Sequence, residues 1–376
     1  MQRYRLGEQL TSWPHRYRKD DFWLRPTTLS FLFSLPQGFT TECIELIHAA
    51  TGKRVLLTAQ SFVFSATRQA REDAKGPTSR WNFRRRLLAP LSSRVLCIGQ
   101  LLTSGDYATE GLSALSAEET FSLLDAVTAK IMTDEGGYRA VLFKDIARQG
   151  DTLGEELVRK GYTPLPVDPV MLMDLSTFTS FEDYLSALSS KYRVRYRRAR
   201  SKLSGLTRRQ LEEDEVLARL DSLYDLYKEV TRGADFNLTP LQPDYFPWLA
   251  GVADFRGYFN EAGELVGFTS GIANGSVYQA HYLGLRESYK YSHHLYHNML
   301  YDLLADALAA GSTILDYGRT APEIKSSIGA VAHNYSSMLR LNSGPLNKLV
   351  PHFIPAVFAA KDWQPRNPFR DGPPRS

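Results

Sequence analysis

The chain has 376 residues, long for one domain and comfortable for two of about 150 to 200 residues each. With 43% hydrophobic and 23% charged residues it has the composition of an ordinary globular protein able to bury a core, which excludes collagen-like and wholly disordered classes. The formal net charge of +4 names no partner, and two cysteines, Cys43 and Cys97, cannot build a disulfide framework.

A reducing cytoplasm is therefore the expected compartment. The N-terminal stretch is charged throughout and lacks the apolar run of about 7 to 15 residues that a secretory leader needs. No stretch approaches roughly 18 apolar residues, so no transmembrane segment is expected. No Cys/His spacing resembles a zinc module, and no metal is expected.

Residues 1–25, rich in arginine and aromatics, read as a lead-in. Strand-like β-branched and aromatic content marks 29–35, 42–48 and 54–64, the last two joined by the hairpin loop AATGK. A charged, turn-rich exposed loop is predicted over 71–86 and a buried strand over 94–102. Ser116 with Glu119 forms a capping box for a helix to 132. A strand follows over 138–143, then a short helix over 152–160 stopped by Gly161.

The spacing of Phe181, Tyr184, Leu185, Leu188, Tyr192, Tyr196, Ala199 and Leu203 predicts one amphipathic helix between 177 and 205. Its cations flank the apolar stripe in two rows, Arg193, Arg197 and Arg200 on one side and Lys191, Arg195, Arg198 and Lys202 on the other. From Lys191 to Arg209 there are nine cations and no acid, so one face should be strongly positive while the rest of the chain is slightly acidic. Such cations repel one another and a polyanion would relieve them: a tRNA backbone, the diphosphate of a nucleotide-sugar or lipid-linked acceptor, or an anionic surface.

A further helix is predicted over 215–230, then a proline-containing bridge and three strands over 255–260, 265–273 and 277–285, with Asn274-Gly275 as a hairpin signal. The pattern switches to a helix ended by Gly311, a short strand over 313–317, a second capping box of Thr320 and Glu323 for a helix over 322–328, and a closing strand over 336–341. Beyond Lys361 the composition predicts disorder. The element order is α/β or α+β with mixed sheets.

An antiparallel meander feeding a helix and then a further strand is similar to the GNAT acyltransferase fold. Three stretches carry the resemblance: FEDYLSALSSKYRVRYRRARSKL at 181–203, LAAG at 308–311 and LDYGRTAPEIKSSIG at 315–329. Together they resemble the Fem-like branch, which implies two tandem GNAT-like domains, each a mixed, mainly antiparallel sheet flanked by helices. The expected division is a degenerate N-terminal domain over 1–175, a catalytic domain over 176–350 preceded by the basic helix at 181–204, and a proline-rich tail over 351–376.

The resemblance implies transfer of an acyl group from acyl-coenzyme A, or of an aminoacyl group from aminoacyl-tRNA, to an amine on a cell-envelope or carbohydrate-type acceptor. The acyl donor is a co-substrate, and no permanently bound cofactor is expected. Lys325 falls on the family's lysine after the glycine turn, where an ammonium would stabilise the oxyanion. Arg319 would orient a phosphate or carboxylate, and Tyr317 belongs to the same motif. His281, or a cleft tyrosine (Tyr278 or Tyr282), would accept the amine's proton. Strand alternation sets His281 on the face opposite both tyrosines, so only one set can face the cleft.

The loop RESYKYSHHL at 286–295 has no glycine, unlike the pyrophosphate loop of most coenzyme A users. Arg286, Lys290 and the helix start near Ser292 are what remains there to hold a phosphate, and Arg193 and Arg197 are the basic helix's candidates for substrate contact. His293 and His297 stand four apart, as metal-binding pairs do, but without the glutamate of a catalytic zinc motif. The competing reading is a non-catalytic protein of this fold that holds nucleic acid, nucleotide-sugar or anionic lipid through its arginine-rich helix.

Overall fold

The computed structural model describes residues 1–4, 21–35, 37–47, 51–65, 92–148, 150–231, 241–357 and 362–370. The loop expected over 71–86, most of the lead-in and parts of the 49–53 loop and of the proline-containing bridge lie outside the described residues. The chain forms two compact units, one within Met1–Val167 and Asn334–Lys361, the other within Asp168–Ala234, Leu241–His333 and Asp362–Ser376.

The first unit contains β1 (Gln2–Tyr4), α1 (Pro26–Ser34), β2 (Phe39–Ile47), β3 (Arg54–Ser65), β4 (Ser92–Ile98), β5 (Thr109–Glu110), α2 (Ala117–Glu135), β6 (Tyr138–Arg148), α3 (Thr152–Arg159) and β7 (Thr163–Leu165). The segment over 29–35 is helical, not the expected strand. Pro26 stands at the helix start with φ already suited to it, and Thr28, Leu29, Leu32 and Phe33 are buried at helical spacing. The Ser116–Glu119 capping box is present, each side chain bonded to the other residue's backbone N–H. Leu57, Leu96, Leu124, Val141 and Phe143 centre this unit's core.

The second unit contains β8 (Val170–Asp174), α4 (Phe181–Ala187), α5 (Ser190–Ser201), β9 (Thr207–Leu211), α6 (Glu213–Leu217), α7 (Leu220–Thr231), α8 (Tyr245–Ala250), β10 (Asp254–Phe259), β11 (Leu265–Asn274), β12 (Val277–Leu285), α9 (Glu287–Ser292), α10 (Leu295–Ala309), β13 (Ile314–Asp316), α11 (Pro322–Ser326) and β14 (Val331–His333). A last strand, β15 (Tyr335–Leu341), returns to the first sheet.

The sheets run β1-β2-β3-β4-β6-β15-β7 and β14-β8-β13-β12-β11-β10-β9. Each has one parallel pair among its described strands, β4 with β6 and β12 with β13, and is otherwise antiparallel. The mixed, mainly antiparallel architecture expected for both units is observed. The boundaries differ from those expected at 175/176 and 350: β8 enters the second sheet, and β15, expected to close the catalytic domain, lies between β6 and β7. Each sheet is thus completed by the strand that follows the other sheet in the chain. Alternation of apolar residues marks a strand but carries no address for the sheet it joins.

Three further expectations are corrected. The amphipathic helix is broken: Leu188 is extended, at φ −63 and ψ 145, and fully buried, separating α4 from α5. The tail is ordered over its described residues 362–370, because their two aromatic side chains have a core to enter. Phe369 bridges Leu188 in antiparallel fashion, and Trp363 packs on the same core as Tyr184, Leu304 and Ile328. Finally, no Thr320–Glu323 box forms. Ala321 caps α11 without a side-chain bond, and both Thr320 (φ 69) and Ala321 (φ 47) are left-handed, which an L side chain opposes.

Gly329 shows how closely the tail fits. At φ +123, a Cβ there would stand 2.5 Å from the Phe369 ring. Gly329→Ala and Phe369→Ala should each cost on the order of 3 kcal/mol in urea unfolding. The double variant should lose less than their sum by about 1 kcal/mol, since removing the ring removes the clash. Simple additivity would show that the tail does not sit there in solution.

Candidate active site

The second unit is notched where its parallel strands part. β12 pairs with β13 only from Val277 to Gln279, opposite Ile314 to Asp316, and then runs on to Leu285. Beyond Asp316 the chain stays with β8: the Tyr317 N–H donates to the Met171 carbonyl and the Met171 N–H to that of Gly318. On its other edge β12 carries a bulge, Thr269 facing Leu283 but Gly271 facing Ala280. Ser270 sits opposite and closes it, its Oγ donating to the Tyr282 carbonyl at 2.8 Å and accepting from the Tyr282 N–H at 3.1 Å.

The bulge overturns the expected alternation. Consecutive residues His281 and Tyr282 meet the same ring, Tyr245: its hydroxyl lies 2.6 Å from His281 Nε2, and its ring 5.9 Å from that of Tyr282. Burial pushes the His281 pKa down to about 3, so it is neutral at pH 7 and a poor acceptor for an ammonium proton. Its expected role as proton acceptor is not supported. Tyr278 is buried in the unit's core with its hydroxyl 3.4 Å from Asp254 Oδ2, and Tyr282 packs between Tyr227 and Tyr245.

Lys325 is buried inside its own motif. From α11, Nζ donates to the carbonyls of Tyr317 (2.7 Å), Gly318 (3.3 Å) and Arg319 (2.5 Å). The three protons of an ammonium thus meet three acceptors in the preceding turn. Burial nevertheless pushes its pKa down to about 7, against the opposing fields of Asp316 and Asp168. Tyr317 is buried too and donates its hydroxyl to the Leu300 carbonyl at 2.8 Å, while Arg319 donates to the Asp168 carbonyl. The motif braces a turn; it does not present Lys325 and Arg319 side by side to solvent.

The loop after β12 is already occupied by a carboxylate. Glu229 of α7 takes the Arg286 guanidinium at 2.5 Å and the Glu287 N–H at 2.9 Å, at the start of α9. Lys290 reaches Glu287 at 3.4 Å, and Ser292 bonds the Ser288 carbonyl and His293 Nδ1. The protein's own anion holds the place expected for a phosphate. His293 ends α9 and His294 caps α10, so His293 and His297 do not share one helix as expected.

The basic helix is sorted by its neighbours. Arg200 pairs with Asp302 of α10, which also accepts from the Tyr258 hydroxyl at 2.7 Å; Arg208 pairs with Asp306, and Arg209 with Glu215 at 2.7 Å. Asn298 ties α10 to the Ala199 carbonyl at 2.8 Å. Three of the nine cations therefore have acids after all, Arg200 and Arg208 from a helix distant in sequence and Arg209 from the segment just after the run. Arg193 folds back on Ser186 and Ser190, and Arg197 is exposed.

Two openings that share Arg195 and Arg366 lie on this helix. A groove of about 530 Å3 is lined by Lys191, Tyr192, Arg195, Arg198 and Arg366, and a cavity of about 140 Å3 by Arg195, His297, Glu323, Ser327 and Arg366. Burial, with the charges of Arg195 and His294, pushes the His297 pKa down to about 4. Arg195 and Arg366 were not among the site candidates read from the sequence, and His297 was singled out there only as a pair with His293. The missed signal for Arg366 is the pair of aromatics, Trp363 and Phe369, in a tail judged by its prolines.

Residues 190–326 match the family model described as an acetyltransferase (GNAT) domain. Among solved structures the chain is similar to the crystal structure of FemX, with 13% identity over 84% of this chain and 91% of that one and a TM-score of 0.53. It also aligns with L-PGS from Bacillus licheniformis, at 16% identity over 87% of this chain and 91% of that one, with a TM-score of 0.46. No curated protein matches. The second unit thus contains the stretch that matches the GNAT-domain model, and the chain as a whole has a Fem-like GNAT-type fold. No helix of the described residues is long and apolar enough to cross a membrane.

Lys325 gives the domain a pH signature. Unfolded, it keeps its proton up to its ordinary pKa of 10.5; folded, it begins to release it near 7. Between those values the unfolded state binds more protons, so stability rises with pH, and the burial penalty is fully present below the folded value. Relative to Lys325→Met, the wild type should gain up to about 1.4 kcal/mol per pH unit in urea unfolding between about pH 7 and about pH 9.5. Parallel curves for the two proteins would show that Lys325 titrates normally.

Proposed function

We propose that the protein is an acyltransferase whose second unit carries the chemistry, moving an acyl or aminoacyl group from a thioester or ester donor to an amine. The amine nitrogen attacks the carbonyl carbon, the bond to the leaving sulfur or oxygen breaks, and the amine's proton leaves with the departing thiol or alcohol or to solvent. The observation that carries this reading is the notch between β12 and β13, which opens beside the turn that Lys325 braces, inside a GNAT-type domain. In it Lys325 is a positioning residue that holds the turn after β13 by its carbonyls, and its charge favours a developing oxyanion.

The acceptor class kept from the sequence is an amine on a cell-envelope or carbohydrate-type molecule. The donor is acyl-coenzyme A or aminoacyl-tRNA, handled in a cytoplasmic setting. Glu229 at the start of α9 weighs against a coenzyme A diphosphate seated there. Purified protein incubated with each donor and a panel of amines should form an amide and release the free thiol or tRNA, read by mass spectrometry. Lys325→Ala should lower turnover about tenfold or more. Turnover within about twofold of wild type would remove Lys325 from the mechanism.

The second reading is a non-catalytic holder of a polyanion, and the same Glu229 contact favours it. Thermal shift with acetyl-coenzyme A, free coenzyme A and tRNA at two salt concentrations separates the two. Stabilisation by coenzyme A supports the enzyme; salt-sensitive stabilisation by tRNA alone supports the holder or a tRNA-dependent enzyme.

A further inference from the structure

We propose that the C-terminal strap, residues 362–370, completes a phosphate-binding groove on α5, with Arg366 as the cation it delivers. This deepens the proposed function by naming where the donor's phosphate lies, and rests on that reading only for the ligand's purpose. The groove of about 530 Å3 has cations on both sides, Lys191, Arg195 and Arg198 from α5 and Arg366 from the strap. Among the described residues no carboxylate pairs with Lys191, Arg195 or Arg198, in contrast to Arg200, Arg208 and Arg209 of the same run. Arg200 and Arg208 are paired inwards and Arg209 at the surface; Lys191, Arg195 and Arg198, which line the groove, have no carboxylate partner.

The strap is held by bonds that do not use the side chains of the groove's cations. The Leu188–Phe369 bridge and the Ser189 N–H bond to the Pro368 carbonyl (2.8 Å) fix it to the break before α5. The Arg366 backbone N–H donates to Ser326 Oγ at 3.0 Å, which sets residue 366 on α11. Its guanidinium then spans the smaller cavity to Glu323, the acid among that cavity's lining residues, with Nε 3.0 Å from Oε1. Glu323 is half-exposed, and its carboxylate marks where an anion meets Arg366. A phosphate entering the groove takes the Arg366 fork from it or shares it, and gains Arg195, which lines both openings.

The ligand chemistry is one phosphodiester or diphosphate group. It comes from a dinucleotide-like donor such as coenzyme A or from an RNA strand, and the test separates the two. Inorganic pyrophosphate titrated into the full chain by calorimetry should bind, and Arg366→Ala and Arg195→Ala should each weaken it by at least about fivefold. Glu323→Gln should tighten it, because the competing carboxylate is gone. In parallel arms, coenzyme A and a short single-stranded RNA are titrated at several salt concentrations. If RNA is the source, each arginine variant should flatten the slope of log affinity against log salt by somewhat under one unit, which a merely structural defect would not do.

Wild-type-like pyrophosphate affinity in Arg366→Ala, or no pyrophosphate binding by the wild type, would overturn the proposal. Should Arg366→Ala fail to fold, Arg366→Gln is read by the same criteria. Binding is measured without turnover. A groove that fails while amide formation persists overturns this inference alone, and a groove that binds in a protein forming no amide overturns only the transferase reading.

Discussion

An ammonium enclosed by three backbone carbonyls is the interaction on which the second unit's functional end is organised. Lys325 holds the carbonyls of Tyr317, Gly318 and Arg319, and burial works against the charge that makes those bonds. Two neighbouring residues, Thr320 and Ala321, sit in left-handed conformations that cost on the order of 1 kcal/mol or more each. The turn survives because Lys325 over-determines it. From that turn α11 takes its direction, and with it Glu323 and Ser327 reach the cavity that Arg366 crosses.

The basic run over 191–209 divides by destination. Asp302 is buried and Asp306 half-buried on α10, where an unpaired carboxylate would be costly, and they take Arg200 and Arg208 inward along with the Tyr258 hydroxyl. This anchors α5 to α10 and leaves Lys191, Arg195 and Arg198 at the groove. Charge repulsion along the helix is thus offset on one side by the protein. On the other it remains as attraction for an anion.

Much of the fold was legible because its signals are local. The capping box at Ser116, the hairpin turn at Asn274-Gly275 and the stop at Gly311 each rest on a few adjacent residues, and each appears where expected. What failed depended on partners distant in the chain. Residues 29–35 have strand-like composition, yet Pro26 and one-sided burial make them helical. The choice of sheet for β8 and β15 is invisible to alternation. The bulge at Ser270, which brings His281 and Tyr282 to one ring, has no signature in strand periodicity. At the site, Lys325 was found by its motif, but its enclosure by carbonyls could not be read from spacing, and Glu229 lies 57 residues from the Arg286 it neutralises.

The break at Leu188 links these levels. An uninterrupted helix from 181 to 201 would keep its i→i−4 bonds and leave no backbone edge for another segment. By turning extended, Leu188 leaves the helical ladder at that point and pairs with Phe369, whose ring enters the space that Gly329 keeps open beside Tyr184 and Phe178. Gly329 closes the same motif that begins with the Lys325-braced turn. The direction of the basic helix, the seat of the strap and the end of α11 are therefore set by one set of packing contacts. A side chain lost from any of them displaces cations that face the groove.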